Sequence, residues 1–209
     1  MRSLFVPSFA LVACASSPPE PAATAPNVRA RLAAPTRLLL APGSTGSIVA
    51  KQWTQGGWQS GTLALQLADG DVTAVANSDG QLALTELRID LAPIAIPDSV
   101  FGKPAQLQDV QLALAMQPPM ASAQWSDAND ATATATVQLD LSWAIFIDGA
   151  ATPLGTQHLA ALPLAIALGG DGSNVHATLQ ATAAGEVWSW AGLLELDDLS
   201  LALDASTSD

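Results

Sequence analysis

The sequence predicts an all-β protein, its antiparallel strands forming either a β-sandwich or a strongly curved sheet that closes on itself. Three observations carry that prediction. Apolar residues recur at every second position over long stretches. The alternation slips by one residue at three similar places, as it does at a β-bulge. Clusters of Gly, Asp and Asn punctuate the stretches, which is turn chemistry.

The alternation is clearest over residues 133–147. Ala133, Ala135, Val137, Leu139, Leu141, Trp143, Ile145 and Ile147 fall on one face, with Thr132, Thr134, Thr136, Gln138, Asp140 and Ser142 on the other. A helix would scatter these apolar residues around its circumference, so the run reads as one strand. Leu63, Leu65 and Leu67 make a shorter copy, followed by Asp69-Gly70-Asp71, which reads as a turn. Leu162, Leu164, Ile166 and Leu168 form another, and Val175, Ala177, Leu179 and Ala181 a third. Residues 169–174 between these two read as a hairpin loop. Leu and Ala favour helices by local propensity, so residues 106–117 and 185–197 keep a short helix as an alternative.

An internal repeat accompanies the alternation. Residues 80–91 match 192–203 with every apolar anchor in register, and 107–114 form a shorter third copy. In each copy the apolar step lengthens once from two residues to three: Leu84 to Leu87, Leu107 to Val110, Leu196 to Leu199. An acid precedes the resumed apolar residue each time (Glu86, Asp109, Asp198), and a bulge is expected to turn it towards solvent. The repeat points to two related halves, near residues 37–116 and 124–206, separated by Pro118-Pro119 and a loop over 127–130.

The amino terminus has a different plan. Arg2 precedes an apolar stretch containing Leu4, Phe5, Val6, Phe9, Leu11 and Val12, which ends in Ala13-Cys14-Ala15. This is the layout of a signal peptide, and it is far shorter than the roughly 20 apolar residues a bilayer span needs. Cys14 is the single cysteine of the chain. Leu11, Ala13 and Cys14 resemble the lipobox of bacterial lipoproteins, although Pro7-Ser8 interrupts the apolar region. The resemblance covers residues 1–14 alone. It implies removal of residues 1–13, acylation of Cys14 with palmitate-type chains, and anchoring in the cell envelope. Ala15-Ser16 lacks the aspartate associated with inner-membrane retention, so the outer membrane is the expected site. The alternative is ordinary cleavage after Ala15 and secretion. Residues 14–35, rich in Ala, Pro and Ser, read as a tether. Residues 36–206 read as a single all-β domain, long enough to bury a core, and 207–209 as a tail.

Charge and chemistry narrow the function. A formal net charge of −12 repels nucleic acid and anionic headgroups, so membrane attachment is expected through Cys14 and no nucleic-acid partner is expected. Nucleophilic catalysis needs an activated side chain beside a base. Cys14 belongs to the leader junction, His158 follows what reads as a loop over 149–157, and His176 lies on the polar face of its strand. Most acids sit in turns, where they bond their own backbone. The fragments around Asp69-Asp71 and Asp127-Asp130 fall short of the six to eight oxygens of a calcium site. No enzyme, cofactor or metal is expected.

Six tryptophans stand in a chain without tyrosine. Trp143, with Val137 and Leu141, belongs to the apolar face of its strand, and Trp188 and Trp190 share a face with Leu194 and Leu196. Those five are the candidate lining of a ligand cavity, or simply core. Trp53, Trp58 and Trp125 fall in loops or at strand ends and are the candidate surface aromatics. Three functions follow in order: a non-catalytic envelope lipoprotein whose β-domain is a structural or interaction module; a carrier of an apolar ligand such as a lipid in a cavity of the curved sheet; and a carbohydrate-binding module using exposed, coplanar tryptophans. Bulged Leu-rich strands in related halves loosely resemble the curved sheets of bacterial lipid-handling lipoproteins. The partner is left as an envelope protein, lipid or glycan.

Overall fold

In the computed structural model the described residues are 27–102, 104–115, 120–190 and 194–207. The chain opens with a one-turn helix α1 (Val28–Arg31), then β1 (Thr36–Leu40), β2 (Thr45–Thr54), β3 (Gly57–Ala76) and β4 (Gln81–Leu91). A short β5 (Ile94–Ile96) and helix α2 (Asp98–Phe101) lead into β6 (Ala105–Leu114), β7 (Met120–Ser122) and β8 (Gln124–Trp125). The remainder is β9 (Ala131–Val137), β10 (Leu139–Ile147), β11 (Ala150–His158), β12 (Leu162–Gly170), β13 (Val175–Trp190) and β14 (Leu194–Ser206).

All of these strands belong to one sheet of 14, antiparallel throughout, in the order β11-β10-β6-β4-β3-β1-β14-β13-β12-β9-β8. β2 also lies between β3 and β14, so β1 fills the gap between those long strands at one end and β2 fills it at the other. A lone sheet with one apolar face must cover that face with itself, and this one does. β10 and β13 are six strands apart in the order, about 30 Å on a flat sheet. Yet the rings of Trp143 (β10) and Trp188 (β13) meet with centroids 5.2 Å apart. A second closure comes from residues 120–125, where β7 pairs with β4 and β8 pairs with β9.

The result is two lobes sharing the long strands β3, β4, β13 and β14. One lobe adds β1, β7, β8, β9 and β12, and α1 packs on it with Val28 and Leu32 fully buried. The backbone N–H of Ala76 donates to the Leu32 carbonyl, which fixes α1 at the carboxyl end of β3. The other lobe adds β2, β5, β6, β10 and β11, with Val100 of α2 buried against it. A single apolar core runs through both.

The three bulges lie where the alternation slips. Leu84 faces Ala74 and Glu86 faces Thr73, so Thr85 is the extra residue in β4. Asp109 and Val110 oppose Trp143 alone, and Asp198 and Leu199 oppose Ile48 alone. Glu86, Asp109 and Asp198 are all exposed. Asp109 and Asp198 hold their outward turn with left-handed backbone, φ 52° and 49°. Residues 106–114 and 185–190 are strand, which removes the helical alternative there.

Three details differ from expectation. Asp69-Gly70-Asp71 is no turn but the middle of β3, paired with β1 and β4. Gly70 is needed because neighbours crowd it: a Cβ would lie 2.5 Å from the Arg88 carbonyl oxygen and 2.7 Å from Leu40. The run 133–147 is two strands, since β9 pairs with β12 in one lobe and β10 with β6 in the other, changing partner at Gln138. Residues 150–158 are the edge strand β11, folded onto β10 by a tight turn at Asp148-Gly149. The Asn27 side chain caps α1 by accepting from the Ala30 N–H, and the Thr207 N–H donates to the Val175 carbonyl.

Candidate functional site

The expected cavity residues divide between the lobes. Leu141, Trp143 and Trp188 are buried together, and the two rings meet edge to face at 81°. The Trp188 Nε1–H donates to Gln157 Oε1 at 3.3 Å, while the buried Trp143 Nε1–H has no acceptor. Val137 is equally buried but sits in the other lobe, opposite Leu162. The Trp190 side chain lies outside the described residues, as does Cys14. An apolar cavity beside Trp143 has a volume of about 30 Å³. Leu107, Val110, Leu196 and Leu199 line it, so the bulges of β6 and β14 meet across it. That volume is about one water's share of liquid, well below the ~300 Å³ at which small-molecule pockets begin.

Of the surface candidates, Trp53 and Trp58 are exposed and Trp125 is half buried. Trp53 and Trp58 face each other across the β2–β3 hairpin, one pair behind its Gln55-Gly56 turn. Their centroids are 5.6 Å apart and their planes 73° apart, an edge-to-face pair rather than a coplanar platform. Trp125 belongs to the α1 lobe, where the Arg29 guanidinium lies 5.6 Å from its ring centroid, a cation–π contact.

Part of the polar outer face is bound up in ion pairs. Arg37 grips Asp71 through two bonds of 3.1 Å, and Arg88 reaches Asp69 at 3.3 Å and Asp71 at 3.5 Å. The bonds that Arg37 donates to Asp71, and that carboxylate's charge, hold the Arg37 proton more tightly than usual. Lys51 pairs with the buried Asp197, which likewise raises the Lys51 pKa, while Asp197 Oδ1 is left without a donor. Sequence reading missed the Lys51–Asp197 pair; the signal was the double acid Asp197-Asp198 at a bulge, where one residue turns in as the next turns out.

His158 comes closest to catalytic geometry. Its Nδ1 lies 2.5 Å from Asp140 Oδ1, on the exposed face of the β10–β11 hairpin, and two pairs along, on the same face, Ser142 bonds Thr156 at 3.0 Å. A triad needs the serine on the imidazole, and here the serine's bond goes to threonine. Among the described residues no group of three or more His, Cys, Asp or Glu is placed to hold a metal. An open trough of about 620 Å³ crosses β9, β12 and β13, floored by Ala165 and Ala167 and edged by Thr132, Thr134, Thr178 and Gln180. No helix among the described residues is long and apolar enough to cross a membrane.

No protein-family model matches the chain, and no curated protein sequence matches it.

Proposed function

We propose that the chain is a non-catalytic cell-envelope lipoprotein, anchored through acylated Cys14, whose β-domain is a structural or interaction module. The observation that carries this reading is the filled interior. Among the described residues the apolar cavity beside Trp143 is about 30 Å³, too little for an acyl chain, which directs the molecule's contacts to its outside. On the outer face Arg37 and Arg88 neutralise Asp69 and Asp71, while other acids stay exposed to meet a partner. The resemblance of residues 1–14 to a lipobox supports an outer-membrane location, and secretion after cleavage at Ala15 is the competing outcome.

Two measurements test this. Cells fed labelled palmitate should label the protein in the membrane fraction, and Cys14→Ser should abolish the label. Residues 14–209 carrying Cys14→Ser, purified without detergent, should give the bare mass by native mass spectrometry. Added mass that extracts as lipid would replace the module reading with the carrier. Unlabelled protein in the medium would replace the anchor with secretion.

A further inference from the structure

We infer that the Trp53–Trp58 end of the β2–β3 hairpin is a second contact site, and that its partner is a zwitterionic lipid surface. The inference rests on the module reading and names its partner. Trp53, Trp58 and Leu39 are the exposed large apolar side chains of the described residues, at 50%, 43% and 40%, and the two tryptophans adjoin. Rings with one end in water and a polar N–H suit the boundary between headgroup and hydrocarbon.

Charge selects the kind of surface. Residues 52–60 contain no charged side chain, although the chain as a whole carries −12. The uncharged end can approach a neutral headgroup layer, while the acidic body opposes an anionic one. Ring geometry separates lipid from glycan. Sugars stacked along a chain call for coplanar faces, and planes 73° apart do not supply them. A bilayer interface asks only that both rings be accessible on one side, as a cross-strand pair makes them.

The site is also remote from the anchor. Trp58 is at the start of the 20-residue β3 and α1 is fixed at its end, so the two are separated by up to about 60 Å. The 13 residues between Cys14 and Val28 span about 40 Å when extended. Lipid contact at the hairpin therefore lays the domain obliquely along its own membrane or joins two membranes.

Flotation with phosphatidylcholine vesicles tests the site without the anchor, using residues 14–209 with Cys14→Ser. The parent should float, and Trp53→Ser/Trp58→Ser should reduce the bound fraction at least fivefold while keeping its urea midpoint. Trp53→Ser alone should fall between them. Brominated phosphatidylcholine should quench part of the parent's tryptophan emission, which reports insertion whatever the variants' folding. Adding phosphatidylglycerol at low salt should weaken binding. Absence of parental flotation, equal flotation of the double variant, or retention on insoluble polysaccharide that depends on the pair would each overturn the proposal. Loss of palmitate labelling with flotation intact would remove the anchor and leave this site standing.

Discussion

Replacing the two left-handed bulge acids by glycine separates backbone strain from side-chain bonding. Asp109 has φ 52°, and among the described residues its exposed carboxylate has no hydrogen-bond partner. Left-handed backbone costs about 1–2 kcal/mol for a residue with a Cβ, with Asp at the low end. Glycine removes that strain but gains roughly 0.5–1 kcal/mol of unfolded-chain freedom. Asp109→Gly should therefore leave stability within about 0.5 kcal/mol of the parent, on either side. Asp198 has nearly the same backbone, φ 49°, but its Oδ1 accepts the Gly185 N–H at 2.7 Å. A hydrogen bond to a charged group contributes about 1.5 kcal/mol, so Asp198→Gly should destabilise by about 1–2 kcal/mol. Urea unfolding at constant m resolves such a gap in the midpoint. Equal midpoints for the two glycine variants, or the reverse order, would refute a stabilising role for the Gly185–Asp198 bond. Valine at either position should cost more than glycine, since a β-branched residue is an outlier at positive φ.

Gly70→Ala puts a Cβ 2.5 Å from the Arg88 carbonyl, and loss of about 2–3 kcal/mol is expected by chemical denaturation. Trp143→Phe gives up ring contact with Trp188 but removes a buried N–H that lacks an acceptor, so it should cost at least about 2 kcal/mol less than Trp143→Ala, which belongs to the 3–5 kcal/mol class. The Ser173 hydroxyl and the Asn174 N–H hold the Asp171 pKa below the ordinary carboxylate value. A depressed folded pKa contributes stability above the unfolded pKa, near 3.9, and loses it as pH falls through the folded one. Asp171→Asn should thus have a lower melting temperature than the parent at pH 7, and the gap should close below about pH 4.

The strands and bulges were legible because burial on one face writes itself into every second residue. The slips at Leu84–Leu87, Leu107–Val110 and Leu196–Leu199 were visible for the same reason, since an extra residue turned outward shifts the apolar parity. Partner exchange leaves no such mark. Val137 and Leu139 keep the parity of a single strand although one packs beside β12 and the other beside β6. Asp69-Gly70-Asp71 misled because two unrelated demands produced turn-like residues: space under Gly70, and carboxylates for Arg37 and Arg88. β11 read as a loop because Pro153 and Gly155 stand in it, residues that an edge strand tolerates and an inner one does not. Of the tryptophans, alternation located Trp143 and Trp188 in the interior. It could not show that Trp53 and Trp58 would meet each other edge to face, which depends on the register of the hairpin.

The distance between α1 and the Trp53–Trp58 turn also decides how the molecule would bear tension. A pull between a tether fixed at the Ala76 end of β3 and a partner held at the Trp58 end runs lengthwise along the strands. The ladder bonds of β3 to β1, β2 and β4 lie across that pull, so they are loaded together in shear rather than parted one after another. β1 is flanked on both sides and cannot peel away as an edge strand would. Under that load the first element exposed is α1, whose hold is Val28, Leu32 and a few backbone bonds. Single-molecule extension between Cys14 and a cysteine placed at Gln55 should show a small early release from α1, then a single high-force rupture of the sheet.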